Sequence, residues 1–323
     1  EIEISLFFQS LGGWLQLPMA FFSFLGTENF FLLIIPALYW CMDAVLGLRI
    51  GIMLMLTGWL NSLLKMVFLS PRPYWFDSRV TPHAAETSFG LPSGHSQNSA
   101  AVFGLLGISL RKRWAVWLAA FFILMIGLSR IYLGVHFTRD VLAGWTIGFI
   151  LVGLFLWLEK PISAWFLRRS LAGQITAAFL VALVMTLSIV LVGSLQSTVF
   201  SMPADWLANA TRKGMEAPTP LDISGGFTLG GTLFGLAAGF FVFFRQYGLF
   251  NAAGAPAHKV FRYLIGTLGV VILWFGLGLI FPREADLVSY GLRFFRYTLV
   301  GLWVTWFAPL IFIKLKIAKL PVK

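Results

Sequence analysis

The feature that most constrains this chain is a succession of apolar runs, each long enough to cross a bilayer. A transmembrane helix needs about 20 mainly apolar residues. Only 11% of the 323 residues are charged, against about a quarter in soluble globular proteins. Nine candidate spans lie near 29–47, 48–66, 93–110, 114–132, 138–158, 173–194, 224–244, 260–281 and 291–313. The sequence therefore predicts an all-α, multi-pass membrane protein.

The net charge of +11 would suit a nucleic-acid partner in a soluble protein, but its distribution between loops favours a membrane protein. Lys and Arg collect in cytoplasmic loops. One set of loops holds fourteen of the 24 basic residues and only two acids: Arg49, Arg111–Arg113, Lys160, Arg168, Arg169, Arg245, Lys259, Arg262, Lys314, Lys316, Lys319 and Lys323, with Asp43 and Glu159. We therefore predict that these loops and the C-terminus are cytoplasmic, in an inner or plasma membrane, and expect no nucleic-acid partner.

Three basic side chains lie at the ends of three different spans on the opposite, outward side. They are Lys65 and Arg72 in KMVFLSPRP, and Arg130 in SRIYLGVHFTRD. Ionisable residues at membrane depth are costly and usually have a partner or a task. Arginine offers phosphate a bidentate fork and lysine offers it a point charge. If the three span ends meet, the sequence predicts a phosphate site there.

The stretch PSGH begins another outward span end. Ser93 is a good helix N-cap, and Pro92 favours an extended entry into the helix. The free N–H groups at a helix N-terminus form an anion site, and Gly94 lets a ligand approach the backbone closely. We therefore expect Ser93 and Gly94 to contribute to the same phosphate site.

Two histidines complete the outward clusters. His136 and Asp140 are four residues apart, which on a helix puts them on one face. A carboxylate that holds one ring N–H leaves the other nitrogen as a nucleophile. His95 would then donate a proton to the leaving oxygen. The residues predict a phosphoryl-transfer site that needs no metal and no cofactor.

Together the clusters resemble the three signature motifs of the type 2 phosphatidic acid phosphatase superfamily. The matching stretches are Lys65-x6-Arg72-Pro73, Pro92-Ser93-Gly94-His95 and Ser129-Arg130-x5-His136-x3-Asp140. The resemblance implies a six-helix core with its active site at the outward membrane face. It also implies a phosphohistidine on His136, supported by Asp140, with His95 as proton donor and activator of water. The implied phosphate-binding residues are Lys65, Arg72, Ser93, Gly94 and Arg130.

The chain divides into three predicted parts. Residues 1–27 mix acids, a glycine pair, a proline and bulky apolar residues, which is typical of an interfacial helix, with a truncated span as the alternative. Residues 28–170 carry the motifs. Residues 171–323 hold the remaining core helix, about three additional C-terminal spans and a basic tail. Small residues at four-residue spacing between Gly226 and Gly239 predict close helix packing.

The predicted function is hydrolysis of a lipid phosphate monoester or diphosphate, with the phosphorylated lipid and membrane lipids as partners. The nine-span architecture leaves two alternatives open: a sugar-phosphate phosphatase of the glucose-6-phosphatase type, and a lipid transporter or scramblase that retains a phosphate site. Asp77 and Glu86 are interpreted as ordinary loop charges. Arg293 and Arg296 share a helix face, where they either snorkel or contact an acidic head group. The oligomeric state is left open.

Overall fold

The computed structural model describes residues 1–320, apart from the side chain of Lys213, and over this range its regular structure is helical throughout. Lys323, the end of the predicted basic tail, lies outside the described residues. The α-helices are α1 (Ile2–Ser10), α2 (Gln16–Phe24), α3 (Glu28–Cys41), α4 (Ala44–Phe68), α5 (Pro73–Phe76), α6 (Gly94–Ser109), α7 (Arg113–Tyr132), α8 (Thr138–Leu167), α9 (Leu171–Val199), α10 (Ala204–Ala210), α11 (Ser224–Tyr247), α12 (Pro256–Val271), α13 (Leu277–Ile280), α14 (Leu287–Leu302) and α15 (Ala308–Lys314). Short π-helical turns, Ile272–Gly276 and Trp303–Phe307, join α12 to α13 and α14 to α15.

Seven helical stretches in the described part of the chain are long and apolar enough to cross a membrane. They are Ala44–Phe76, Arg113–Tyr132, Thr138–Leu167, Leu171–Val199, Ser224–Tyr247, Pro256–Ile280 and Leu287–Lys314. An eighth is reached if Gly13–Phe24 and Glu28–Cys41, which meet at a bend of 48°, form one broken span. The chain is therefore an all-α, multi-pass membrane protein.

Two predicted spans differ from the observed helices. The span predicted at 29–47 ends at Cys41, because Asp43 starts a new helix by accepting a hydrogen bond from the Leu46 N–H at 2.8 Å. The span predicted at 93–110 is α6, which has 16 residues and is shorter than an ordinary span. In both cases the predicted span lies at the right place in the sequence, while the residues that cap the observed helix set its length.

The first of two compact units contains Glu1–Phe31, Leu56–Phe155 and Ser188–Ile223. Within it, α8 lies directly against α6 because two glycines face that helix. A methyl group placed on Gly144 would lie 2.7 Å from the Ser93 carbonyl oxygen, and one on Gly148 would lie 2.6 Å from Ala100 Cβ. This close approach of backbones sets the beginning of α6 beside the beginning of α8.

Replacing Gly148 by alanine is expected to destabilise the protein by about 1–3 kcal/mol, because the added methyl group overpacks the α6–α8 contact. Gly153→Ala is the matched control, since Gly153 lies on the same helix with nothing within 4 Å of an added Cβ. The control should be neutral or slightly stabilised by the better helix propensity of alanine. Thermal unfolding of both variants in detergent measures the difference, and equal midpoints would show that α6 and α8 do not pack in this way.

The second unit contains Leu32–Met55, Leu156–Leu187 and the chain from Ser224 onward. Its central contact is between α11 and α14, where Cβ atoms on Gly231 and Gly235 would lie 2.3 and 2.2 Å from the carbonyl oxygens of Phe294 and Thr298. The packing role predicted for the glycines of this span is confirmed. The buried Arg262 donates to the carbonyls of Trp40, Ala252 and Ala253 at 2.8–3.0 Å and ties the surrounding segments together.

Candidate active site

All eight residues predicted to form the site belong to the first unit, and each lies at or near the end of a helix. Lys65 is in the last turn of α4, Arg72 caps α5, Ser93 caps α6, Gly94 and His95 begin α6, Arg130 is near the end of α7, His136 precedes α8, and Asp140 is in its first turn. Six of them, all except Gly94 and His95, are buried. Helix ends from separate parts of the sequence thus converge on one polar centre.

Arg72 is the hub of this centre and is fully buried. Its Nη1 donates to the Val135 carbonyl at 3.0 Å and to His136 Nε2 at 3.1 Å. Its Nε donates to the Ser88 carbonyl at 2.6 Å, and its Nη2 donates to Ser88 Oγ at 3.1 Å. A planar guanidinium with five donors makes such contacts in several directions at once. Arg72 therefore fixes the loop before α6 and the His136 ring together.

His136 and Asp140 are paired, but not on one helix face as predicted. His136 lies before α8, which begins at Thr138, and its Nδ1 is 3.4 Å from Asp140 Oδ2. The same Oδ2 accepts the Phe137 N–H at 2.9 Å. Because arginine only donates, His136 Nε2 is the acceptor towards Arg72. The proton of the neutral ring is therefore on Nδ1, facing Asp140, and the Nε2 lone pair faces the cationic centre.

The protonation of His136 suits a nucleophile. Its burial, followed by the positive charges of Arg72, Arg130 and Lys65, lowers the pKa of His136 well below the ordinary value of an imidazole. Both burial and nearby cations disfavour the charged form of the ring. The imidazole is therefore neutral at neutral pH, and the Nε2 electron pair that accepts from Arg72 carries no proton.

The start of α6 is held by polar contacts on both sides. The Ser93 hydroxyl caps the helix by accepting from the Ser96 N–H at 3.4 Å, and the Ser93 N–H donates to the Asp140 carbonyl at 2.9 Å. Asn61 Nδ2 donates to the Pro92 carbonyl at 3.2 Å and to Gln97 Oε1 at 2.9 Å. The expected N-cap is present, and Ser93 and Gly94 sit at a helix N-terminus anchored to α4 and α8.

Glu86 lies between two of the predicted phosphate-binding cations. One carboxylate oxygen contacts Arg130 Nη2, and the other accepts from Arg72 Nη2 at 3.3 Å. Burial raises the pKa of Glu86, but the charges of Arg72 and Arg130, with those of His95 and Lys65, hold that pKa well below its ordinary value. Glu86 is therefore an ionised carboxylate in the anion site, and the interpretation of Glu86 as an ordinary loop charge is wrong.

Three contacts place the remaining groups around this carboxylate. Lys65 Nζ donates to Ser88 Oγ at 2.8 Å. Arg130 Nη1 donates to Ser23 Oγ in α2, while Arg130 Nε is buried and has no hydrogen-bond acceptor among the described residues. His95 packs beside the turn between α2 and α3, where a Cβ on Gly26 would lie 3.0 Å from its ring. One side of the polar centre is thus closed by Ser23 and Gly26, which lie outside the three motifs.

Sequence reasoning missed Glu86, Ser88 and Ser23, together with the hydrogen bonds from Gln97 to Thr57. Glu86 and Ser88 sit in a loop without a repeat or spacing signal, and Ser23 is far from the motifs in sequence. No signal in the chain singles out these residues, because their role depends on where the loop and α2 pack.

Within the described residues, no group of three or more His, Cys, Asp or Glu side chains is arranged to hold a metal ion. The charge at this centre is supplied by Lys65, Arg72 and Arg130 instead.

Comparison with known proteins identifies the family. A sequence model of the PAP2 superfamily matches residues 46–163, and one described as "PAP2 superfamily phosphatase, transmembrane extension" matches residues 227–320. The phosphatidylglycerophosphatase B of Bacillus subtilis strain 168 is 31% identical over 162 residues, covering 46% of this chain and 77% of that protein. The chain belongs to the PAP2 superfamily, and it is a multi-pass membrane phosphoric ester hydrolase.

For two other relatives, the match covers a smaller share of the relative's own length. Human glucose-6-phosphatase 3 is 29% identical over 185 residues, covering 50% of this chain and 52% of that protein. Mouse sphingosine-1-phosphate phosphatase 2 is 27% identical over 136 residues, covering 40% of this chain and 38% of that protein. A crystal structure of a transmembrane PAP2-type phosphatidylglycerolphosphate phosphatase from Bacillus subtilis aligns with a TM-score of 0.43 at 29% identity, covering 50% of this chain and 85% of that one. The extension match coincides with the three additional C-terminal spans expected from the sequence.

Proposed function

We propose that this protein hydrolyses a phosphate monoester or diphosphate of a membrane lipid, through a phosphohistidine on His136 and without a metal ion. One observation carries the proposal: the guanidinium of Arg72 contacts both His136 Nε2 and the carboxylate of Glu86. A group that binds an anion therefore lies next to a neutral nucleophile. A phosphate at the same place would be held by Lys65, Arg72 and Arg130.

In the first proposed step, His136 Nε2 forms a bond to phosphorus while the bond from phosphorus to the leaving oxygen breaks. His95, in the protonated form that the negative charge of a bound phosphate favours, gives its proton to that oxygen. In the second step, His95 takes a proton from water, the water oxygen bonds to phosphorus, and the bond to His136 breaks. The three cations and the α6 N-terminus stabilise charge on the other phosphate oxygens in both steps.

Several donors support this assignment of the phosphate site. Arg130 Nε is a buried donor without an acceptor in the described part of the chain, so a phosphate oxygen would satisfy it. The Ser93 hydroxyl caps α6. The room expected beside the Gly94 backbone is occupied by Asn61, whose Oδ1 would lie 3.0 Å from a Cβ added to Gly94. Asp140 holds the Nδ1 side of His136 and stabilises the positive charge that develops on the ring.

The proposed substrate is a lipid because three relatives bear the names of lipid phosphatases: phosphatidylglycerophosphatase B, sphingosine-1-phosphate phosphatase 2 and lipid phosphate phosphatase delta. The charge distribution between the loops supports a site on the non-cytoplasmic side of an inner or plasma membrane, with the C-terminus in the cytoplasm. A lipid head group would reach the site from that leaflet.

The test is phosphate release by the purified full-length chain, with and without a chelator, across phosphatidate, phosphatidylglycerophosphate, sphingoid phosphates, prenyl phosphates and diphosphates, and sugar phosphates. We expect chelator-resistant turnover and a preference for lipids. Human glucose-6-phosphatase 3 supports a sugar phosphate as the second candidate. Faster turnover of a sugar phosphate than of every lipid would reject the lipid proposal, and loss of activity with the chelator would reject metal independence.

Glu86 is expected to act as an internal competitor of the substrate phosphate, because its carboxylate occupies the guanidinium groups of Arg72 and Arg130. Glu86→Gln should therefore tighten inhibition by orthovanadate about tenfold, which corresponds to about 1.4 kcal/mol. Removing a negative charge near three cations raises the positive potential that an incoming oxyanion meets.

The matched control is Asp77→Asn, which removes a carboxylate from the same loop where it pairs with the exposed Arg79. Vanadate inhibition of this variant should be unchanged, since an exposed ion pair contributes little. Weaker inhibition of Glu86→Gln than of the wild type would show that Glu86 positions the arginines rather than competing for them.

A further inference from the structure

The second unit holds a cluster of three arginines that the proposed catalysis does not use. Arg283 precedes α14, and Arg293 and Arg296 lie on it, one turn apart. Arg283 Nη2 donates to the Gly278 carbonyl at 2.7 Å, and a Cβ on Gly278 would lie 2.4 Å from Arg296 Nη1. Arg283 and Arg296 therefore approach the same residue, and their positive charges are close together.

The stretch 283–296 contains three arginines against two acids, Glu284 and Asp286. No ion pair joins Arg283, Arg293 or Arg296 to a carboxylate in this part of the chain. The nearby Asp286 is engaged in capping α14, since its carboxylate accepts from the N–H and hydroxyl of Ser289 at 2.8 and 3.0 Å. Arg293 and Arg296 lie in the membrane-spanning stretch Leu287–Lys314, where a charged side chain usually has a polar or charged partner.

Arg296 is the least satisfied of the three. Its guanidinium carbon lies 5.0 Å from the centre of the Tyr297 ring, and its Nε is buried without an acceptor in residues 1–320. Arg293, by contrast, donates to Ser224 Oγ at 2.9 Å. The buried Arg262 of the same unit shows the structural alternative, since three carbonyls satisfy it. Arg296 therefore has donors that the surrounding protein leaves open.

An apolar groove of about 310 Å³ begins one turn beyond Arg296 on the same helix. Its lining residues follow at helical spacing, and one residue from the π turn after α12 also contributes. The lining is Leu273, Leu299, Trp303, Phe307, Leu310, Ile311 and Lys314. Because residues three or four apart share a helix face, Arg296 stands at the head of this apolar stripe.

Both π-helical turns of the unit contribute to the groove. Leu273 belongs to Ile272–Gly276, and Trp303 and Phe307 belong to Trp303–Phe307. The Trp303 ring is held in place by the hydrogen bond from its Nε1 to the Gly266 carbonyl at 2.8 Å. Single π turns inside α-helices are frequent at functional sites.

We propose that this region binds an anionic phospholipid of the bilayer, with the phosphate on Arg283, Arg293 and Arg296 and an acyl chain in the groove from Leu299 to Leu310. The combination of uncompensated guanidinium groups and a continuous apolar groove fits an amphiphile with a negatively charged head. The binding residues are separate from the residues of the catalytic centre, so this site is a lipid site in addition to that of the substrate.

The test is native mass spectrometry of the full-length protein taken from nanodiscs of equal parts phosphatidylglycerol and phosphatidylcholine. The protein carries His136→Ala to exclude turnover. We expect at least one retained phosphatidylglycerol, with about a tenfold preference over phosphatidylcholine, which corresponds to about 1.4 kcal/mol. Arg293→Gln with Arg296→Gln should remove the preference. The control Lys160→Gln with Arg168→Gln removes two exposed charges of the same unit and should keep it.

Equal retention of the two lipids by the His136→Ala protein overturns the proposal without any further variant. Retention of the preference by the double arginine variant also overturns it. If the double variant is poorly folded, Leu310→Trp tests the groove with the charges intact and should lower phosphatidylglycerol retention severalfold. Displacement of the lipid by inorganic phosphate at millimolar concentration would assign the arginines to a free anion and reject the lipid. None of these outcomes depends on whether the protein hydrolyses phosphate esters.

Discussion

Replacing His136 by alanine is expected to lower kcat for phosphate release by at least about 10³-fold, because the variant loses the only group placed to attack phosphorus in our proposal. The Nε2 atom lies 3.1 Å from Arg72 Nη1, and Nδ1 lies 3.4 Å from Asp140 Oδ2. Alanine removes both contacts and leaves the cationic pocket intact. Substrate should still bind, so the effect appears in kcat.

Two measurements check this expectation. Steady-state phosphate release gives kcat, and rapid quenching with a ³²P-labelled substrate traps an acid-labile phosphoprotein in the wild type but not in the variant. His83→Ala is the matched control, since His83 stacks on Tyr132 at 6.0 Å in the same outward region and has no part in the proposed chemistry. Unchanged phosphate release by His136→Ala would end the phosphohistidine proposal.

Replacing Arg72 by lysine is expected to reduce kcat/KM about 10²-fold, although the charge is retained. Arg72 donates to three acceptors in the loop before α6, to the Val135 carbonyl and to the nucleophile. A lysine ammonium has neither the reach nor the planar fork to replace these contacts. The loss of one well-placed donor to a transition-state oxyanion typically costs about 10²–10³-fold in rate.

Arg79→Lys is the matched control for Arg72→Lys. Arg79 belongs to the same loop region, is exposed, and pairs with Asp77 at 2.8 Å. Its replacement should leave kcat/KM within about twofold, since surface ion pairs contribute little to the folded state. Equal kcat/KM values for the wild type and Arg72→Lys would show that a positive charge at this position is sufficient to bind the substrate phosphate, without directed hydrogen-bond donors.

Much of the fold could be predicted from sequence because membrane insertion is decided by local composition. Apolar runs such as those of α7 and α9 are recognisable residue by residue, since a spanning helix satisfies its backbone internally. The helix boundaries in the N-terminal part of the chain were harder to predict. The boundary at Asp43 depends on a single cap, and the bend between α2 and α3 depends on the residues around Gly26.

The candidate site was predictable as a set of residue types, but not as a set of contacts. The spacing of Lys65, Arg72, Arg130 and His136 indicates an anion pocket with a nucleophile. Ionisable groups at membrane depth are costly, so several of them at span ends indicate a shared binding site. Their spacing contains no information about Glu86. A loop carboxylate reaches the pocket only if the loop folds over it, and that depends on the hydrogen bonds of Arg72 and Tyr74 to the loop backbone.

By itself the sequence determined that the protein is an all-α membrane protein, which family motifs it carries, and which motif residues lie at the ends of the spans. Hydropathy and residue spacing are local properties of the chain, so they can be read without the fold. Only the tertiary structure decided which partners those residues take. It placed Glu86 between Arg72 and Arg130 and set α6 against α8 through Gly144 and Gly148. It also left Arg296 Nε without an acceptor in residues 1–320, at the head of an apolar groove. These outcomes rest on contacts between residues far apart in the chain, where packing and the balance of buried charge select one arrangement among many.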